Sequence, residues 1–136
     1  MLKYLLATIL FATPIISTAD ESPPIDMTAP LIQLNGQPFA DPAQASKADP
    51  DCSKCGPLTL GSAIAEALCA NSPDVQHEDA LAKFRACSLG ERLQNDKAAH
   101  LTAAEVTQIE ARLGLWSPGV LVKIIPVIDP NQASAK

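Results

Sequence analysis

The sequence has few aromatic residues and no excess of basic ones. Aromatic side chains make up only 4% of the 136 residues, although hydrophobic residues make up 47%, so the core must consist of Ala, Leu, Ile and Val. Lys and Arg number 10 against 15 Asp and Glu, which leaves a net charge of −5. Nucleic acids and anionic membrane surfaces both attract basic segments. We therefore expect neither kind of partner.

Signatures of catalysis, cofactor binding and metal binding are also missing. The sequence has no Gly-rich phosphate loop and no turn motif or spacing that singles out a nucleophile. Its two histidines, His77 and His100, each stand near the start of a predicted helix, where a histidine is commonly just exposed. We expect no catalytic residue, no cofactor and no metal site, and hence not an enzyme.

The chain also lacks an apolar run long enough to span a bilayer, which takes ~20 residues. Its longest run, residues 4–16, follows Lys3 and precedes small residues that end in Ala19. This order is typical of a secretory signal peptide. We predict a signal peptide over residues 1–19 that is cleaved between Ala19 and Asp20. The mature protein would then be periplasmic or secreted and would meet the membrane only transiently. The alternative, a buried N-terminal helix, lacks the polar positions of an amphipathic helix.

Four cysteines are present: Cys52, Cys55, Cys69 and Cys87. An even number in an exported chain indicates a disulfide framework, with three possible connectivities. A bond between Cys69 and Cys87 would staple two successive helices. We expect Cys52 and Cys55 to tie their linker to the helical body, through Cys69 and Cys87. A zinc site would need a second C-x-x-C motif, which is missing. A thioredoxin-like redox pair would need a core strand before Cys52, and none is predicted there. In the remaining alternative the cysteines are reduced, and Cys69 and Cys87 are small buried hydrophobic residues.

The length suits one domain, and its first part is predicted to be extended. Residues 20–57 contain an exposed lead-in over 20–30, where three prolines forbid a helix. A β-hairpin over 31–39 is predicted with a type I′ turn at Asn35-Gly36. The remainder is a linker that carries the first two cysteines.

Residues 58–128 are predicted to form a helical domain. Its first helix begins after the N-cap Thr59, and its second covers 77–94, where Gly90 weakens the last turn. The inward side chains of the second helix are predicted to be Leu81, Phe84, Cys87 and Leu93.

The third helix has the clearest boundary signals. Thr102 and Glu105 form a capping box, and Gly114 is placed for the left-handed position that ends a helix. A fourth helix starts at Ser117-Pro118 and is closed by Pro126, although its β-branched residues also suit a strand. A flexible tail follows over 129–136. The fold class is therefore mainly α (small α+β), with an N-terminal β-hairpin followed by a three- to four-helix compact bundle.

Four stretches in this order resemble a group of small phage and prophage proteins. They are "MTAPLIQLNGQPF", "LTLGSAIAEALC", "EDALAKFRACSLGERL" and "LTAAEVTQIEARLGLWSPGVLVKII". The resemblance covers roughly residues 27–128 and implies a compact accessory or interaction protein without assigned chemistry, so it transfers no functional residue. This chain departs from the group by its export signal and its cysteine-bearing linker. Met27 aligns with the usual start of the group.

Together these features predict a small exported non-enzymatic protein of phage or prophage type that acts through protein–protein interaction. One alternative is a cytoplasmic phage accessory or virion-assembly protein that starts at Met27 and keeps its cysteines reduced. Another is a periplasmic thiol-disulfide protein that uses Cys52 and Cys55. The sequence does not identify the protein partner.

Overall fold

The computed structural model describes residues 23–133. The predicted signal peptide, its cleavage site between Ala19 and Asp20, and residues 134–136 lie outside this range. The described part is mainly helical and contains a small antiparallel sheet of two strands. Its helices are α1 (Leu60–Cys69), α2 (Ala80–Asn95), α3 (Ala103–Glu110), α4 (Pro118–Ile128) and α5 (Pro130–Ala133). Its strands are β1 (Ile25–Asp26) and β2 (Ala98–Ala99). None of these helices is long and apolar enough to cross a membrane.

Helix α1 lies at the centre of the fold because its sequence is apolar or small almost all round. Thr59 is its N-cap, as predicted, and the Thr59 hydroxyl accepts a hydrogen bond from the Ser62 amide at 3.2 Å. A helix that is apolar on nearly every side is stable only when it is buried. Ala63 and Ile64 are accordingly fully buried. Trp116, which precedes α4, donates its indole N–H to the Ala63 carbonyl at 2.9 Å.

Helix α2 presents a different face to the core from the one that its sequence predicts. Leu93 is fully buried, as expected. Leu81 and Phe84, however, are 55% and 67% exposed, so their predicted inward orientation is wrong. The other buried residues of α2 are small, namely Ala86 and Gly90.

The close approach of α1 and α2 explains this orientation. A Cβ atom built on Gly90 would lie 3.0 Å from the Cα of Ala65 and 3.2 Å from the Cβ of Leu68, so glycine alone fits without displacement. A disulfide between Cys69 and Cys87 joins the same two helices. A larger side chain has no room at position 90, and Leu81 and Phe84 are left on the outer side of α2.

Substituting Gly90 by alanine is expected to destabilise the fold by about 1–3 kcal/mol, the usual cost of overpacking. Helix propensity alone would instead favour alanine by about 1 kcal/mol, so the sign of the change separates the two causes. Gly119→Ala is the matched control, because the nearest atom to a Cβ there lies 3.9 Å away. Urea unfolding followed by circular dichroism measures both variants. A Gly90→Ala protein as stable as the wild type would contradict this account of the interface.

The described part of the predicted exposed lead-in, residues 23–30, is mostly exposed, but Met27 belongs to the core. Strand β1 pairs with β2 in antiparallel register, with Ile25 opposite Ala99. Met27 is only 2% exposed, and its carbonyl accepts the Gly61 amide at 2.8 Å. The first amides of an α-helix have no partner within the helix. The segment therefore both fills the core and satisfies the start of α1.

Residues 31–39 fold back on themselves, but with a different turn from the predicted one. Ile32 and Pro38 form a single antiparallel bridge, so the reversal is shorter than a regular hairpin. Gly36 has a φ of +82°, whereas Asn35 does not have a positive φ. A type I′ turn needs positive φ at both residues, so the predicted turn type is wrong. A three-residue loop closed by a left-handed glycine fits these angles.

Two further helices begin at residues whose side chains cap them. The capping box of α3 is confirmed: the Glu105 amide donates to the Thr102 hydroxyl at 3.3 Å, and the Thr102 amide donates to the Glu105 carboxylate at 2.8 Å. Asp79 caps α2 by accepting the Ala82 amide at 2.7 Å. Helix α2 therefore starts after Asp79 and not at the predicted residue 77.

Two chain-breaking residues near the C-terminus behave differently from their predictions. Gly114 does not adopt the left-handed conformation and lies in a 3-10 turn over residues 113–115. Pro126 does not close α4, which continues to Ile128. This proline lies on the exposed side of the helix, where the carbonyl that loses its amide partner can face water. The predicted tail from residue 129 begins with the short helix α5.

Candidate functional site

The four cysteines form two disulfides, Cys52–Cys55 and Cys69–Cys87. The predicted staple between the first two helices is confirmed, because Cys69 ends α1 and Cys87 lies in α2. The other bond joins two residues of one loop, so the expected link between that loop and the helical body through cysteines is wrong. Structural disulfides persist in oxidising compartments, and both bonds fit an extracellular-type environment.

The turn between Cys52 and Cys55 is organised by a carboxylate. Asp49 accepts the Lys54 amide at 2.7 Å and the Ser53 amide at 2.9 Å. These hydrogen bonds lower the pKa of Asp49, so its carboxylate is ionised at neutral pH. The carboxylate thus holds the backbone of the two residues that separate Cys52 from Cys55.

The two ends of the same loop are joined by a polar network. Asp41 is 6% exposed, and its carboxylate accepts the Ala43 amide at 3.0 Å and the Gln44 side-chain amide at 3.1 Å. Gln44 in turn accepts the Gly56 amide at 2.8 Å, and the Asp41 amide donates to the Gly56 carbonyl at 3.0 Å. Residues 40–57 therefore form a loop whose two ends are hydrogen-bonded to each other, where the sequence predicted a linker.

Glu66 of α1 is a partly buried carboxylate close enough to Asp41 to be repelled by it. Its Oε2 atom is buried and has no hydrogen-bond partner among the described residues. Burial first, and then the charge of Asp41, raise the pKa of Glu66. A perturbed carboxylate of this kind indicates a candidate site only when other reactive groups converge on it. Within residues 23–133, no set of three or more His, Cys, Asp or Glu side chains converges as metal ligands would.

Neutralising Glu66 is expected to stabilise the protein in a pH-dependent way. Because the pKa of Glu66 is higher in the folded than in the unfolded protein, the protonated carboxyl favours the folded state. This contribution to stability is complete below the ordinary pKa of 4.5 and is lost as the pH rises through the raised pKa. Glu66→Gln should therefore equal the wild type at about pH 3.5 and become more stable towards neutral pH. Urea unfolding at a series of pH values measures this difference.

Glu105 supplies a control of opposite sign. Although burial raises the pKa of Glu105, hydrogen bonds from Thr102 and Arg92 outweigh it and lower that pKa overall. Glu105→Gln should consequently lose stability at neutral pH and approach the wild type as the pH falls. If Glu66→Gln were also less stable than the wild type at neutral pH, the rise assigned to the pKa of Glu66, from burial and from the charge of Asp41, would be incorrect.

The two histidines lie at different places on the surface of the described chain. His77 is exposed before α2, and His100 is exposed after β2. The fold therefore does not bring the two predicted surface histidines into one site.

An open groove runs across one side of the molecule. It has a volume of about 890 Å³, at the upper end of the ~300–1,000 Å³ typical of ligand sites. Its walls are the N-terminal segment 23–32, helix α3, and the junction of α4 and α5. Leu60 and Ile128 are buried at its base, while Ile32 and Val127 line two different walls and are 37% and 43% exposed. The groove thus offers accessible aliphatic surface.

The polar groups of this groove are mainly acidic. Its charged lining residues are Asp26, Glu110, Lys123 and Asp129. Its described lining contains no Ser, Cys or His, and its one hydroxyl group, on Thr107, donates to the Ala103 carbonyl at 3.0 Å. The described lining is therefore apolar, with a mainly acidic set of charged groups.

Sequence reasoning did not find the groove, because its walls come from three distant segments. These are residues 23–32, 101–110 and 123–131. Each segment taken alone is a lead-in, a capped helix or a helix end, and no local pattern shows that they meet. The sole hint is that α4 carries more apolar residues than one buried face can hold, with Val122 and Val127 both exposed.

No protein family, no characterised protein and no solved structure matches this chain at a significant level of similarity.

Proposed function

We propose that this chain is a small exported, non-enzymatic protein of phage or prophage type that binds another protein through the groove between its N-terminal segment, α3 and α4. The observation that carries the proposal is the accessible aliphatic surface at Ile32 and Val127, next to the buried base at Leu60 and Ile128. Exposed apolar surface with a charged rim is typical of interaction sites. The phage or prophage type rests on the sequence resemblance alone.

Export is supported by the cysteines and by the strand that precedes Met27. Both cysteine pairs are bonded, as in proteins of oxidising compartments. A chain that started at Met27 would lose β1, which pairs with β2. These observations favour the exported form over the cytoplasmic alternative. Intact-mass measurement of the native protein tests it, with a mass that starts at Asp20 expected and one that starts at Met27 or Thr28 contradicting export.

Site-specific photocrosslinking tests the binding function. A photoreactive amino acid placed at Val127, on the wall of the groove, should give one recurrent crosslinked protein in the native host, identifiable by mass spectrometry. Val122 is the matched control, because it is a valine of the same helix, is 60% exposed and does not line the groove.

The outcomes separate two surfaces of α4. Val122 lines a shallower depression of about 310 Å³ together with Leu121, Ile125 and Pro126. A crosslinked product from position 122 and none from position 127 would move the binding site to that depression. A product from neither position would contradict binding through either surface.

A further inference from the structure

We infer that the groove binds a peptide segment of the partner that carries both aliphatic side chains and Lys or Arg residues. The inference rests on the proposed function, because it names the kind of segment that the same groove accepts. It has two parts, one drawn from the apolar walls and the other from the charged lining.

The aliphatic requirement follows from the shape and chemistry of the walls. Ile32, Val106 and Val127 present branched aliphatic side chains from three different walls. The described lining contains no aromatic ring, so it offers no stacking platform for a proline-rich helix or a flat ring system. Aliphatic side chains inserted between these walls would remove apolar surface from water on both partners.

The basic requirement follows from charge complementarity. Asp26, Glu110 and Asp129 face one cation among the described lining residues, Lys123. A segment with Lys or Arg would compensate this excess of negative charge, whereas an acidic segment would be repelled. The acidic balance of the whole chain would act in the same direction during the approach of a partner.

The three carboxylates are already held in place by hydrogen bonds within the protein. Asp26 accepts the Thr28 amide at 2.9 Å and the Thr28 hydroxyl at 2.7 Å. Glu110 accepts the Gln132 side-chain amide at 2.8 Å, and Asp129 accepts the following Asn131 amide at 3.1 Å. A carboxylate can accept several hydrogen bonds at once, so these contacts orient the groups and leave them able to bind a cation. Such prior ordering lowers the entropic cost of binding.

Selection from a random dodecapeptide library tests this inference on the intact, oxidised mature protein. The enriched peptides should combine Val, Leu or Ile with Lys or Arg. The affinity of one enriched, fluorescently labelled peptide is then measured by fluorescence anisotropy. Val127→Asp and Glu110→Lys should each weaken it at least tenfold, and raising the salt from about 50 to 500 mM should weaken it further.

Two matched variants separate the groove from general effects. Val122→Asp changes the same residue type on another face of α4, and Glu91→Lys makes the same change of net charge on the exposed surface of α2. Both should bind the peptide within about twofold of the wild type. Thermal unfolding of every variant shows whether a loss of binding merely reflects a loss of folding.

Three other outcomes of the peptide selection would each contradict a different part of the inference. If the enriched peptides were acidic or uncharged and Val127→Asp still abolished their binding, the basic requirement would be wrong. The assignment of the binding site to the groove would stand. If Val122→Asp abolished peptide binding and Val127→Asp did not, the assignment of the peptide-binding site to this groove would be wrong. No enrichment over a protein-free surface would overturn the inference of a linear peptide ligand, while the photocrosslinking at Val127 would still decide the proposed function separately.

Discussion

Replacing Glu78 by alanine is expected to lower the free energy of unfolding by about 3 kcal/mol. The Glu78 carboxylate accepts a hydrogen bond from the Arg112 guanidinium, whose side chain is only 4% exposed. Without Glu78, the guanidinium stays charged and buried without its partner, which is the costly way to break a buried ion pair. Urea unfolding followed by circular dichroism, with the disulfides intact, measures the loss.

The reverse deletion should cost less and so provides the control. In Arg112→Met the remaining Glu78 side chain is 36% exposed and can turn towards water, while methionine fills the apolar space. The double variant Glu78→Ala/Arg112→Met should be more stable than Glu78→Ala alone, because it has no unpaired buried charge. Equal losses in the two single variants, or additive losses in the double variant, would show that the buried guanidinium is not the cause.

Removing the Cys69–Cys87 disulfide by substituting both residues with serine is expected to cost about 3 kcal/mol. The bond joins residues 18 positions apart, and in the chain-entropy model a crosslink of about that length restricts the unfolded chain by about this amount. It also joins α1 and α2 next to the close packing at Gly90. Urea midpoints of the oxidised proteins measure the effect.

The matched control is the Cys52→Ser/Cys55→Ser variant, which also removes one disulfide and two cysteines. Its bond spans a sequence separation of 3 and lies within one loop, so it restricts the unfolded chain less. We expect a clearly smaller loss of stability. Intact-mass analysis after alkylation verifies that the other disulfide remains in each variant. A greater loss from the loop disulfide than from the Cys69–Cys87 disulfide would contradict the assigned roles.

Local signals predicted the starts of α1 and α3, although not that of α2. Thr59 was identified as the N-cap of α1, and Thr102 with Glu105 as the capping box of α3, because these hydrogen bonds connect residues only three positions apart. The same approach was less successful where helices end. Gly114 and Pro126 carry strong local preferences, yet Gly114 stays out of the left-handed region and Pro126 lies inside α4.

The orientation of α2 shows why periodicity was insufficient. Hydropathy ranks Leu81 and Phe84 above Ala86 and Gly90, so a pattern-based assignment turns the larger side chains inward. The interface with α1 instead requires small side chains, because the two backbones come close at Gly90. The distance between two helices is a property of the pair, and the sequence of one helix does not contain it.

The sequence by itself determined the mainly helical character of this protein, the capped starts of α1 and α3, and the aliphatic, aromatic-poor composition of its core. These features depend on composition and on contacts between residues a few positions apart. The tertiary structure alone decided the pairing of the cysteines, the burial of Met27, the Arg112–Glu78 ion pair and the groove. The last three, like the Cys69–Cys87 disulfide, bring together segments that are distant in the chain. Their position depends on how the helices pack and not on the preferences of any one segment.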